Sequence, residues 1–243
     1  MADSFDTTLG GADRRFPDTT WQIVTRLHAT GDAEYRAGME LLCRRYWKPI
    51  YTWVRIACAR SNEDAKDLTQ AFLLWLVGGD ALRRYVPEKG SFRGYIKLLL
   101  KRFVQDQADA MNALKRGGGV KVVPLESLEE FEPDPRAADP EKAFDRAWAV
   151  GIAKDAVERV RERFKARGRE IQFRAYEAYD LSPPAEKPTY AKIAEQLRIG
   201  ESDVRNHLFT VRREIQEEIR AEIARTVGNP SELEEEWNAL FGS

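Results

Sequence analysis

The chain has 243 residues with a formal net charge of −1, from 39 Lys and Arg against 40 Asp and Glu. That length can hold one or two domains, each burying a real core, and the near-zero charge excludes a globally basic nucleic-acid binder, so that any such function must come from local segregation of charge. Cys43, Cys58, His28 and His207 are too few and too scattered for a disulfide framework or a zinc site, and no apolar run reaches the length of a membrane span or resembles a signal peptide.

The expectation is a reduced, cytoplasmic protein with no cofactor, metal or membrane contact. Taken in order, residues 1–18 are polar, with Gly10, Gly11 and Pro17, and read as a loose leader. Thr19 or Thr20 caps a short helix carrying Trp21, Val24 and Leu27. A longer helix runs from Asp32 to roughly Ala59. Its apolar residues (Met39, Leu42, Tyr46, Ile50, Trp53, Val54) recur at three and four, and Pro49 should kink or break it. Ser61 caps the next helix, with Asp64 at its third position. Leu68, Phe72, Leu73, Trp75 and Leu76 form its apolar side, and Gly78 and Gly79 end it. Glu63, Asp64 and Asp67, with Lys66 among them, make its first half polar.

After the Tyr85–Phe92 loop a long helix is predicted from about Ser91 to Arg116. Phe92, Ile96, Leu99, Leu100 and Phe103 face a core, and Arg93, Lys97 and Lys101 fall at i, i+4 and i+8. Between Ala81 and Arg116 nine bases face only three acids. Such a run is usually a plain solvated surface. Here the excess is local and follows Tyr85 and Phe92, and cations interleaved with rings suit single-stranded nucleic acid, whose bases stack while its backbone follows the charge.

Gly117 to Gly119 end this region. Residues 121–140 hold four prolines, and 126–145 hold eight acids against two bases, the composition of an extended acidic linker. Helices then resume from Pro140: Phe144, Trp148, Ile152, Val157, Val160 and Phe164 line one, and Phe173, Tyr176 and Tyr179 a second. Pro188 to Arg213 reads as helix, tight turn, helix. Ile193, Ala194 and Leu197 pack the first helix, Gly200 caps the second, and Asp203 puts a negative charge in its first turn. Val204, Leu208, Val211, Ile215, Ile219, Ile223 and Val227 form one stripe. Ser202, Arg205, Asn206, Phe209, Arg212 and Arg213 are left outward, the donors and cations a DNA-recognition helix needs; the plain alternative is an ordinary αα-hairpin. Arg198 stands where this turn often has Gly. Asn229-Pro-Ser231 starts a short acidic helix with Leu233, Trp237, Leu240 and Phe241. No hairpin or βαβ pattern appears, so the expected fold is all-α, with two helical domains (19–116 and 141–228) joined by the acidic linker 117–140 and followed by an extension, 229–243.

In this order the elements resemble the bacterial RNA polymerase sigma factors, and most the small extracytoplasmic-function group of the sigma-70 family. Asn62-Glu-Asp-Ala-Lys-Asp-Leu-Thr-Gln-Ala-Phe72 resembles that family's polymerase-clamp segment, and Phe92-Arg-Gly-Tyr-Ile96 the start of its promoter-melting helix. Pro188 to Arg213 resembles its −35-reading region. Phe16-Pro-Asp-Thr-Thr-Trp21 and Leu114-Lys-Arg-Gly-Gly-Gly119 are similar to a subgroup often encoded beside Ser/Thr protein kinases. The resemblance covers about Asp18 to Arg225.

The resemblance implies that Asp64, Asp67, Gln70 and Phe72 dock on core RNA polymerase. It implies that Pro87, Lys89, Ser91, Phe92, Arg93, Lys97 and Lys101 hold the −10 element. Ser202, Arg205, Asn206 and Phe209 would read bases at −35, with Lys192, Arg198, Arg212 and Arg213 on phosphates. The linker would thread the polymerase's RNA path. Lys66 and Ala71 stand where the family has acids, which lowers the charge of the clamp face. Phosphorylation of Thr69, or of Ser61 or Thr52, by a Ser/Thr protein kinase would restore it. Nothing in the sequence forms a catalytic constellation, so an enzyme is not expected. The competing expectations are a stand-alone helix-turn-helix regulator of duplex DNA and a noncatalytic scaffold.

Overall fold

A computed structural model describes residues 32–86, 89–115 and 139–242. The expected leader, the short helix around Trp21, Pro87 and most of the linker lie outside them. Among the described residues the protein is all-helical, with eight α-helices and no strand: α1 (Asp32–Ala57), α2 (Asn62–Gly78), α3 (Phe92–Lys115), α4 (Pro140–Ala166), α5 (Glu170–Asp180), α6 (Tyr190–Leu197), α7 (Glu201–Ala224) and α8 (Pro230–Phe241).

Most helix starts are set by local chemistry that the sequence advertises. The Ser61 hydroxyl accepts from the Asp64 N–H at 3.2 Å to start α2. Asp139 accepts from the Glu141 N–H at 2.9 Å at the head of α4, with Pro140 in the first turn. Asn229 accepts from the Glu232 N–H at 3.0 Å at the head of α8. Each cap satisfies a donor that the helix itself leaves unpaired, a contribution of about 1 kcal/mol. Of the kink or break expected at Pro49, no break occurs: Pro49 lies inside α1, which runs on past it. The helix ends instead beyond Ala57, where Ala59 takes a positive φ of 46°.

Apolar side chains from both sides of the linker form one continuous cluster. The most extensive helix–helix packing joins α1 to α4. Tyr46 of α1 sets its ring edge-on to Phe92 of α3 at 5.7 Å and lies 6.4 Å from Phe144 of α4. Fully burying one such side chain contributes about 1.5–3 kcal/mol. α5, α6 and α7 pack on one another, and α8 folds back over α7 and α4.

A buried charge cluster lies within this packing. Glu222 of α7 is completely buried and pairs with Arg45 of α1; Arg225 adds a bond at 2.8 Å and Arg159 of α4 lies at 3.6 Å. Taking these charges out of water is costly, and their mutual attraction offsets that cost only while every partner stays in place.

Candidate nucleic-acid interface

The helix-turn-helix is built from α6, a three-residue turn and α7. Thr189 caps α6, accepting from the Lys192 N–H at 3.3 Å. Arg198 then takes the left-handed conformation (φ 56°, ψ 47°), and the Ile199 N–H reaches back to the Ala194 carbonyl at 3.0 Å. This is the geometry for which glycine is the usual residue, so here a cation is displayed at the tip of the turn at some backbone cost. The Gly200 N–H donates to Asp203 at 3.1 Å and starts α7. Val204, Leu208, Val211, Ile215, Ile219, Ile223 and Val227 are all buried, as the stripe requires.

On the opposite side Ser202, Arg205, Asn206 and Phe209 are exposed, and Phe209 is 67% exposed. Lys192 and Arg198 are exposed beside them. The two remaining cations expected on phosphates are engaged within the protein. Arg212 makes a two-bond contact with Asp180 of α5 at 2.8 and 2.9 Å, and Arg213 lies 3.6 Å from Glu217. The bonds to Asp180 push the Arg212 guanidinium above its ordinary range. Sequence reading passed over the ring pair behind this face: Tyr179 and Tyr190 lie 4.8 Å apart, with Arg205 and Arg212 each 5.8 Å from a ring. These contacts orient cations on α7 that would otherwise swing freely.

On α2, Asp64, Asp67 and Gln70 are exposed, spaced three apart along one side. Phe72 does not join them. It is completely buried, its ring 5.9 Å from Trp75 and 5.4 Å from Phe103. Leu74 and Trp75 are the large apolar side chains α2 exposes, and Leu74, seven residues after Asp67, falls on the acidic side. The positions proposed for modification also differ. Thr69 is buried, its hydroxyl donated to the Ala65 carbonyl at 2.7 Å. The Thr52 hydroxyl donates to Lys48 at 2.8 Å, and Ser61 is exposed at the head of α2. A kinase could meet Ser61 directly, but Thr69 only if α2 leaves its neighbours.

The expected −10 row departs most from an open surface. Lys89 is exposed, Ser91 caps α3 by accepting from the Gly94 N–H at 3.2 Å, and Pro87 lies outside the described residues. Phe92 is buried, and its N–H donates to the Thr226 carbonyl, two residues beyond the end of α7, at 3.0 Å. Arg93 is only 4% exposed. It meets Asp145 of α4 at 2.5 Å and Glu236 of α8 at 2.6 and 2.9 Å, and its guanidinium lies 5.6 Å from the Trp148 ring.

Lys97 bonds Asp145 at 2.9 and 3.1 Å and lies 3.4 Å from Glu141; Lys101 reaches Glu141 at 2.9 Å. The Trp53 indole N–H also donates to Glu141 at 3.0 Å. Partial burial pushes the Glu141 carboxyl up, but the bonds from Lys101 and Trp53 outweigh it and hold the group below its ordinary range. The periodicity of Arg93, Lys97 and Lys101 showed that they share a side of α3. It held no information on the three carboxylates that α4 and α8 bring to that side.

Compared with protein-family models, with curated proteins and with solved structures, the chain matches none of them.

Proposed function

We propose that this chain is a sigma factor of the extracytoplasmic-function type, which binds bacterial core RNA polymerase and directs promoter recognition, DNA melting and initiation. In this reading 19–116 holds core polymerase and the −10 element, 141–228 reads the −35 element, and the polymerase supplies the phosphodiester chemistry. The observation that carries it is the exposed row Ser202, Arg205, Asn206 and Phe209 on the first turns of α7, held behind a tight turn that displays Arg198. Hydroxyl, guanidinium and amide donors near a helix N-terminus suit base edges in the major groove, and the flanking cations suit phosphates. Asp64, Asp67 and Gln70 with Leu74 supply a second surface, acidic with an apolar member, that suits a basic protein partner. In the same reading a Ser/Thr kinase adds charge to this surface. Ser61 offers the accessible hydroxyl, and its phosphate would sit at the positive end of the α2 dipole.

The experiment is to mix the purified protein with bacterial core RNA polymerase and follow co-elution and run-off from a promoter library. Co-elution with specific transcripts is the expected result. Co-elution without transcripts makes kinase treatment the next step, and no binding before or after that treatment removes the sigma reading. A stand-alone regulator of duplex DNA is the second reading. It is favoured by the covering of Arg93 and Lys97, which leaves α7 the more accessible of the two candidate DNA surfaces. Tight sequence-specific duplex binding without polymerase would select it.

A further inference from the structure

The row Arg93, Lys97 and Lys101 is met in register by three carboxylates from beyond the linker: Glu236, Asp145 and Glu141. Together these carboxylates present to the cations a line of negative oxygens, as a nucleic-acid backbone would. Apolar packing alone did not require this arrangement, since Tyr46, Phe92, Phe144 and Trp148 already close the space between α1, α3 and α4. Buried ion pairs add little net stability over apolar residues of the same volume, but they discriminate sharply between partners and respond to competing anions. α8 itself is tied to α7 by Arg220, which pairs with Glu234 at 2.5 Å and lies 4.6 Å from the Trp237 ring.

We propose that α8 and the first turns of α4 act as an internal nucleic-acid mimic, keeping the free protein closed, with Arg93 and Lys97 covered and Lys101 held by Glu141, so that the basic row of α3 cannot engage single-stranded DNA until the two parts of the chain separate. The proposal rests on reading α3 as a single-strand contact helix. While the carboxylates occupy the row, the apparent affinity for a strand is the intrinsic affinity reduced by the small open fraction. A partner that binds the open form releases the row, so strand binding becomes conditional on that partner.

The test uses the full chain and a fluorescein-labelled, mixed-sequence single-stranded oligonucleotide, with binding read by anisotropy. Asp145→Asn with Glu236→Gln removes negative charge from the mimic while keeping side-chain volume, and circular dichroism checks the fold. Binding should tighten by about tenfold or more. The gain should disappear when Lys97→Ala and Lys101→Ala are added in the same background. Should the double variant not fold, Glu236→Gln alone tests the α8 arm and should give a smaller gain in the same direction. Binding equal to wild type in a folded variant overturns the proposal, as does a gain that survives loss of both lysines. Neither result involves polymerase. If the wild type still co-elutes with core polymerase, the sigma reading stands while the closed state falls. If it does not co-elute, the sigma reading falls and the oligonucleotide result still decides on the mimic.

Discussion

At the residue scale, several side chains chosen by type and spacing take positions their spacing could not reveal. Thr69 is the clearest. Its hydroxyl donates back to the carbonyl four residues earlier inside a closed core, so a negative charge there is taken out of water. Thr69→Glu should destabilise by at least ~3 kcal/mol in urea unfolding, whereas Thr69→Val should stay within about 1 kcal/mol of wild type. Glu222 is the second case. Glu222→Ala strands Arg45 in the interior and should cost about 3–5 kcal/mol, and Arg45→Met combined with Glu222→Leu should cost less than the single change. Equal losses for the single and the double variant would mean that the pair is not the source of the cost.

At the scale of elements, the helix-turn-helix separates stability from recognition. Phe209 touches no packed interior, so Phe209→Ala should leave unfolding within about 0.5 kcal/mol of wild type. The same change should weaken duplex affinity by about tenfold in a mobility-shift titration if α7 reads bases. Arg198 presents the opposite balance. Arg198→Gly relieves a left-handed backbone and should stabilise by up to ~1 kcal/mol. It should also flatten the salt dependence of duplex binding by close to one phosphate contact. The Ser61 cap, the helix starts at Pro140 and after Asn229 and the stripe along α7 were legible beforehand, because the signals and the 3.6-residue period that produce them act within a few residues. The uninterrupted course of α1 through Pro49 was not. Whether a proline breaks a helix depends on the packing that holds the flanking turns together, here the α1–α4 contact.

For the whole molecule, charge pairs across α3, α4 and α8 and across α4 and α7 give the fold an acid limit. Burial pushes Glu141 and Glu218 up, but the bonds from Lys101 and Trp53 to the first, and from Arg163 and Arg159 to the second, with the charges of the neighbouring cations, hold both carboxyls below the ordinary carboxylate range. A carboxyl whose folded value is depressed contributes stability that is fully present above its unfolded value and is lost as pH falls through its folded one. Urea midpoints should therefore hold from neutral pH to about 4.5 and fall below it. Glu141→Gln should reduce that acid-side loss. An equal fall in wild type and Glu141→Gln would place the acid limit elsewhere.

By itself the sequence determined the all-helical class, the caps, the apolar stripes, the outward row of α7 and the local excess of cations on α3. All of these follow from interactions between residues no more than a turn or two apart. The tertiary structure alone decided what those surfaces meet. Phe72 is turned into the core by Phe103, Arg212 is claimed by Asp180, and Arg93 and Lys97 of α3 are covered by carboxylates as far as 143 residues away along the chain. Periodicity shows which side chains share a face of a helix. Which face is covered, and by which distant charge, is settled when separate helices compete for the same apolar surface and counter-ions, a choice no local window contains.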